Sequence, residues 1–367
     1  MMSNAFYFLC GIFFFVNLTL AFIPYWTRKT ENFGVTIPES LYNRSDFRLM
    51  RKKYSAILII INIVLLSLLI FASFHYTEKT VTTLLTIVIL LYILLSFLIY
   101  LPFHIKMKRL KEIENWHIDY KQTIVIDPKF REEKLTYSNK WFFIPFAIIV
   151  ILIGYTFNVY DRIPDQVPIH TSVNGQITYA DKSFGNVMLL PFTQLFMVLV
   201  FLIVNYVIKH SKQQISATNP DVSKIQNIIF RRRWSLYTIL SSILMSLLFA
   251  FLQLSMIYPS LLPYQDVVIF SSIGIILLGT ILLSISTGQG GSRVKVTSGQ
   301  EGSVIDRDDD RYWKLGQFYF NKNDPAIFVE KRFGIGWTNN WAHPISWIFL
   351  IGILAIAFGL PYIISKF

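Results

Sequence analysis

Eight stretches of almost uncharged residues dominate the sequence, at about 5–26, 54–74, 81–103, 141–160, 187–208, 235–257, 266–286 and 345–364. Each is close to the roughly 20 residues with which a helix rising about 1.5 Å per residue crosses a hydrocarbon core. Backbone amides in lipid must be satisfied within the segment, so such stretches have to be helices. Only 15% of the 367 residues are charged against 53% hydrophobic, which excludes a soluble enzyme. The net charge of +12 would suggest nucleic acid in a soluble chain; here the loops account for it, and no nucleic-acid partner is expected.

The expected fold is all-α, a polytopic transmembrane bundle of about eight spans whose first partner is the lipid bilayer. Thirty of the 34 Lys and Arg residues fall in alternate loops, 27–53, 104–140, 209–234 and 287–344. The positive-inside rule places these loops in the cytoplasm and both termini outside a plasma membrane. Tyr25, Trp26, Tyr54, Trp141, Trp234 and Trp347 stand at block ends, where amphipathic rings favour the headgroup level. The lone cysteine, Cys10, excludes a disulfide framework and reads as a packing residue of an uncleaved first span.

The sequence also suggests a duplication of four spans plus four. Arg51-Lys52-Lys53-Tyr54-Ser55 is echoed 180 residues later by Arg231-Arg232-Arg233-Trp234-Ser235. Asp127-Pro128, Glu133-Lys134 and Asn139 recur in order as Asp324-Pro325, Glu330-Lys331 and Asn339. An even number of spans per half makes the repeat parallel, with halves 1–160 and 187–367 flanking an outer loop, 161–186. Similar loop chemistry without common descent is the alternative.

The spans carry amides and hydroxyls, such as Asn62, Gln194, Asn205 and Gln253, and apart from their boundaries no Asp, Glu, Lys, Arg or His. That speaks against a proton-coupled pump and for interhelical hydrogen bonds. No catalytic motif, Walker loop or zinc signature occurs, so no catalytic residue, metal or cofactor is expected. The acidic run Asp306, Asp308, Asp309 and Asp310 lacks the glycine and glutamate offsets of a calcium loop and reads as a charged turn competing with Arg307 and Arg311.

Two loops carry candidate recognition residues. In 161–186, Pro164 and Pro168 stiffen the chain, Asn174-Gly175 forms a turn, and Val167, Ile169 and Thr171 alternate toward Ile177 and Tyr179. A small extracellular β-hairpin is predicted, with Pro164, Asp165, Pro168, His170, Asn174, Gly175, Asp181 and Lys182 as candidates for contact with an extracellular peptide; a rigid connector is the alternative. In 308–344, Asn321 to Pro325 reads as a turn between short extended aromatic segments. Its aromatics would be costly in water and should pack on the bilayer interface or on loop 104–140. Tyr312, Trp313, Asn323, Asp324, Pro325, Arg332, Trp337 and Asn339 are candidates for docking a cytosolic regulator.

The run Pro164-Asp165, Val167-Pro168, His170, Asn174-Gly175 and Asp181-Lys182 resembles the domain of unknown function 1648, over about 141–190, found in SdpI-type bacterial immunity proteins. The run Asp309 to Asn339 is similar to the domain of unknown function 5808. The first resemblance implies protection from a secreted peptide and capture of a cytosolic repressor; the second implies no chemistry. A non-catalytic receptor or immunity-type protein is therefore the leading expectation. A permease for a small or hydrophobic substrate, supported by the repeat and the amides, and a membrane scaffold for a cytosolic regulator are the alternatives.

Overall fold

A computed structural model describes residues 4–116, 121–123, 130, 132–171, 176–217, 219–296, 304–306 and 309–364. Among the described residues eight long helices carry the fold: α1 (Asn4–Trp26), α2 (Ser45–His75), α3 (Glu78–Ile113), α4 (Phe143–Asn158), α5 (Phe184–His210), α6 (Pro220–Ile257), α7 (Gln265–Thr287) and α8 (Pro344–Ile364). Among the described residues, seven helical segments are long and apolar enough to cross a bilayer, and α8 adds a shorter apolar stretch, Pro344–Ala355.

Three helices overrun their apolar blocks. α2, α3 and α6 begin or end in charged turns, so they project beyond the hydrocarbon at one end of the bundle. α6 starts on Pro220, whose missing N–H is harmless at a first helical position, with Asp221 beside it in the first turn. Ser183 caps α5 by accepting from the Asn186 amide at 3.1 Å.

α1, α2 and α3 pack together around Phe6, Cys10, Phe13, Leu65, Leu69 and Tyr92. Cys10 is thus a core residue. α4, which the sequence assigns to the first half, packs on α5 and α6 through Phe142, Ile149, Val198 and Ile239. α7 joins the two groups by touching both α6 and α1.

The expected amide contacts are present. Asn17 Nδ2 donates to Asn62 Oδ1 at 3.2 Å and Asn62 Nδ2 to the Phe14 carbonyl at 3.1 Å. Gln194 and Gln253 donate from α5 and α6 to the Ser246 and Val187 carbonyls at 3.1 and 3.0 Å. Asn205 donates to Asn139 Oδ1 at 2.7 Å and accepts from Ser235 Oγ at 2.6 Å.

Among the described residues five two-stranded sheets decorate the helix ends. β1 (Glu31–Asn32) pairs with β2 (Val35–Thr36), and β3 (Lys121–Thr123) runs parallel to β6 (Val304–Asp306). β4 (Gln166–Thr171) pairs with β5 (Ile177–Asp181), β7 (Trp313–Lys314) with β8 (Phe318–Tyr319), and β9 (Phe328–Glu330) with β10 (Trp337–Asn339). The β4–β5 pair is the hairpin predicted from the alternation, with a register shift between Pro168 and His170.

One expectation is corrected. Tyr54 and Trp26 are buried, at 2% and 8% exposure, and not available as interfacial anchors, whereas Trp141 and Trp347 stay half open. Loop 104–140 pairs through β3 with β6, which lies just before the aromatic loop, and Phe333 of that loop shares a core cluster with Met107 and Trp116, in line with the expected packing. Phe33 on the β1–β2 turn, Tyr54 on α2, Tyr100 and Phe103 on α3, and Phe333 form one cluster, because the projecting helix ends offer apolar faces that would otherwise meet water.

Candidate functional site

Residues 309–343 form a cap over the basic end of the bundle, and a buried charge network fixes it there. Glu330, at the end of β9, is 1% exposed. It takes a salt bridge from Arg28, a hydrogen bond from Asn227 Nδ2 at 2.8 Å and one from Arg231 Nη2 at 3.1 Å. Arg231 also donates to Asn227 Oδ1 at 2.7 Å and to the Ile208 and Ser211 carbonyls at 2.7 and 3.2 Å. A guanidinium cannot lose its proton at this depth, so each such acceptor is needed. One carboxylate from the cap thereby ties together the chain after α1, the end of α5 and the first turns of α6.

A second node lies over α3. Arg332, 2% exposed, pairs with Asp309 and Asp310. Asp310 also accepts from Lys111 Nζ at 2.6 Å and Thr36 Oγ1 at 2.9 Å. Asp309 and Asp310 are therefore matched by Arg332 and Lys111, where the neighbouring Arg307 and Arg311 were the expected competitors; Arg307 and Asp308 lie outside the described residues. Among the described residues no group of three or more His, Cys, Asp and Glu is arranged to hold a metal.

Close backbone approach explains Gly34 and Gly316. Gly34 and Gly316 both have positive φ, +74° and +70°, and their backbones meet beside Tyr100. Tyr100 Oη lies 3.0 Å from the Phe33 and Leu315 carbonyl oxygens, and His104 Nδ1 lies 2.9 Å from the former. Gln289 clasps Gly336, donating to its carbonyl at 3.0 Å and accepting from its amide at 2.7 Å.

Within the cap, Asn340 is wholly buried and donates toward the Asn321, Asp324 and Ala326 carbonyls while accepting from the Asn321 amide. The predicted turn at 321–325 is thus pinned by Asn340, the residue after the docking candidate Asn339. Asp324, 8% exposed, accepts from Lys212 Nζ at 2.5 Å and Tyr319 Oη at 2.7 Å. Burial pushes its carboxyl up, but Lys212, Tyr319 and the Ala326 amide outweigh this and hold it below the ordinary carboxylate range. Burial and the neighbouring Asp324 push the Tyr319 hydroxyl up.

The docking candidates therefore divide. Asp324, Trp313 and Arg332 are buried in the cap's own contacts, with Arg332 over the Trp313 ring at 5.3 Å. Trp337 is half-buried against Phe230 at 5.3 Å, Tyr312 lies near Tyr319, and Asn339 pairs with Phe328 in the strand. Asn323 and Pro325 remain exposed. Arg28, Asn227, Arg231, Gln289 and Glu330 were not singled out as site residues; only the basic triplet and the Glu330-Lys331 motif gave a signal.

The hairpin sits at the other end of α6. Val167 and Ile163 are buried against Val159, Val187, Met256 and Ile257. Lys182 donates to the Ile163 carbonyl at 3.1 Å, lies 4.0 Å from Asp165 and faces the Tyr160 ring at 5.4 Å. Asp165 and Asp181 are exposed, Pro164 and Pro168 half-buried. His170 pairs with Thr178 in the ladder, and Asn174 and Gly175 lie outside the described residues. The outward face shows Ile169 and Tyr179, 44% and 48% exposed.

These features define a polytopic helical membrane protein with a hairpin at one end and a tethered cap at the other. Two family models match the chain: the domain of unknown function DUF1648 over residues 147–195 and the family of unknown function DUF5808 over residues 322–347. The first covers most of α4, the hairpin and the start of α5; the second runs from the cap's 321–325 turn to the first turn of α8. The second is narrower than the sequence resemblance, leaving Tyr312 and Trp313 outside it. No curated protein and no solved structure matches the chain.

Proposed function

We propose that the protein is a non-catalytic receptor or immunity-type protein of a bacterial plasma membrane. In this reading the hairpin meets an extracellular peptide or envelope signal, and the cap relays the encounter to the cytosolic side. The observation that supports it is the path of α6. Its last turn, Met256 and Ile257, lies under the hairpin, and its early turns hold Glu330 of the cap through Asn227 and Arg231. The 26 residue steps from Arg231 to Ile257 span about 39 Å as a continuous helix.

The positive-inside rule supports assigning the cap to the cytoplasm and the hairpin to the outside. A permease is less favoured, because Asn62, Gln194, Asn205 and Gln253 all spend donors on helix-to-helix bonds. The test compares cells expressing wild type and the Ile169→Asp, Tyr179→Asp double variant at equal membrane levels, each challenged with conditioned medium of the producing culture. Survival of the wild type with sensitivity of the variant is expected; equal survival would remove the proposal.

A further inference from the structure

Arg51 and Arg231 occupy positions 180 residues apart in the two basic triplets and are equally buried, at 2% and 0% exposure. Their partners differ. Arg231 has the carboxylate of Glu330. Arg51 has neutral oxygens alone, donating from Nη1 to Asn32 Oδ1 at 3.3 Å and from Nη2 to the Tyr42 carbonyl at 2.9 Å. Its guanidinium carbon lies 4.2 Å over the Tyr42 ring, and its Nε, buried, has no hydrogen-bond partner. Among the described residues no carboxylate pairs with it. Asp46 and Glu114 are both taken by Arg44, at 2.7 and 2.5 Å, and Glu39 faces Lys29 at 3.6 Å.

A buried guanidinium without a counter-charge is a standing cost that deprotonation cannot relieve. The surroundings add positive charge. Arg48, three residues earlier and on the same side of α2, is exposed, and Lys52 follows it at i+4. The group stands just before the apolar run that begins near residue 54, at the level where headgroups lie. A planar fork beside two exposed cations suits a tetrahedral oxyanion.

We propose that Arg51, supported by Arg48 and Lys52, is a phosphate-binding site that the half-buried Tyr42 ring covers. The phosphate comes from an anionic lipid headgroup or from solution. The ligand reaches the guanidinium when the Tyr42 ring swings aside, and Nε and Nη2 become its donors.

The test uses the full chain in a neutral maltoside detergent and reads the thermal midpoint against dioleoylphosphatidylglycerol, dioleoylphosphatidylcholine and sodium phosphate. A saturable rise with phosphatidylglycerol but not phosphatidylcholine, lost in Arg51→Met, supports the site and assigns it to lipid. A rise with sodium phosphate lost in the same variant supports it and assigns it to a soluble anion. No rise in the wild type, or an equal rise in Arg51→Met, overturns it. Should Arg51→Met not fold, Tyr42→Ala decides: removing the ring must lower the half-saturating concentration, and an unchanged value overturns the proposal.

Discussion

Glu330 and Arg231 form an ion pair at 3.1 Å across 99 residues of chain, with neither side chain exposed. Burying both charges is costly, and the pair is tolerable because Arg28 and Asn227 also donate to the carboxylate. Removing one partner strands the other.

Glu330→Ala should therefore destabilise the protein by about 3–5 kcal/mol, the range for breaking a buried pair. Glu330→Gln should cost less, because its carbonyl oxygen can still accept. Denaturant unfolding in detergent checks both; a Glu330→Ala variant as stable as wild type would refute the role given to the network.

Gly316→Ala places a methyl group on a positive-φ backbone against Tyr100 Oη and the His104 ring. A loss of about 1–3 kcal/mol is expected from the conformation alone. Gly352→Ala, at a position with open space around the added carbon, is the control and should change little.

Acid should loosen the cap late. The Asp324 carboxyl is held below its ordinary value, so its contribution is complete above about pH 4, the unfolded value, and is lost as pH falls through the lower folded value. Limited proteolysis of the cap should be constant from neutrality to about pH 5 and rise only under stronger acid. In Asp324→Asn that acid-dependent step should shrink and cleavage at neutral pH increase.

Asn205→Ala removes the contacts of Asn139 and Ser235 together, while Asn62→Ala removes those of Asn17 and the Phe14 carbonyl. Interhelical bonds of this kind average about 0.6 kcal/mol each, so each variant should lose on the order of 1 kcal/mol and stay inserted. Equilibrium unfolding in mixed micelles measures it; losses above about 3 kcal/mol would assign these amides more than a riveting role.

The spans were legible because lipid leaves the backbone one solution, and an apolar run of sufficient length announces it. The hairpin was legible because Val167, Ile169 and Ile177 alternate around a turn signal. The cap was legible as a local turn but not as a tethered lid. Glu330 meets Arg28 across 302 residues, and nothing in the spacing of either residue marks the other. Nor could the pattern show that α4 packs on α5 and α6, since a helix with an apolar surface all round gives no preferred face. Arg332 looked like a free docking cation because its partners, Asp309 and Asp310, seemed already matched by adjacent arginines.

The central claim is that hairpin and cap stand on opposite sides of the membrane, with the hairpin outside. Single cysteines at Tyr179 and Asn323, both on the surface, can be installed in a Cys10→Ser background and treated on intact cells with a membrane-impermeant maleimide. Labelling of Tyr179→Cys with protection of Asn323→Cys until the cells are opened is the predicted result. Labelling of Asn323→Cys on intact cells with Tyr179→Cys protected would contradict it.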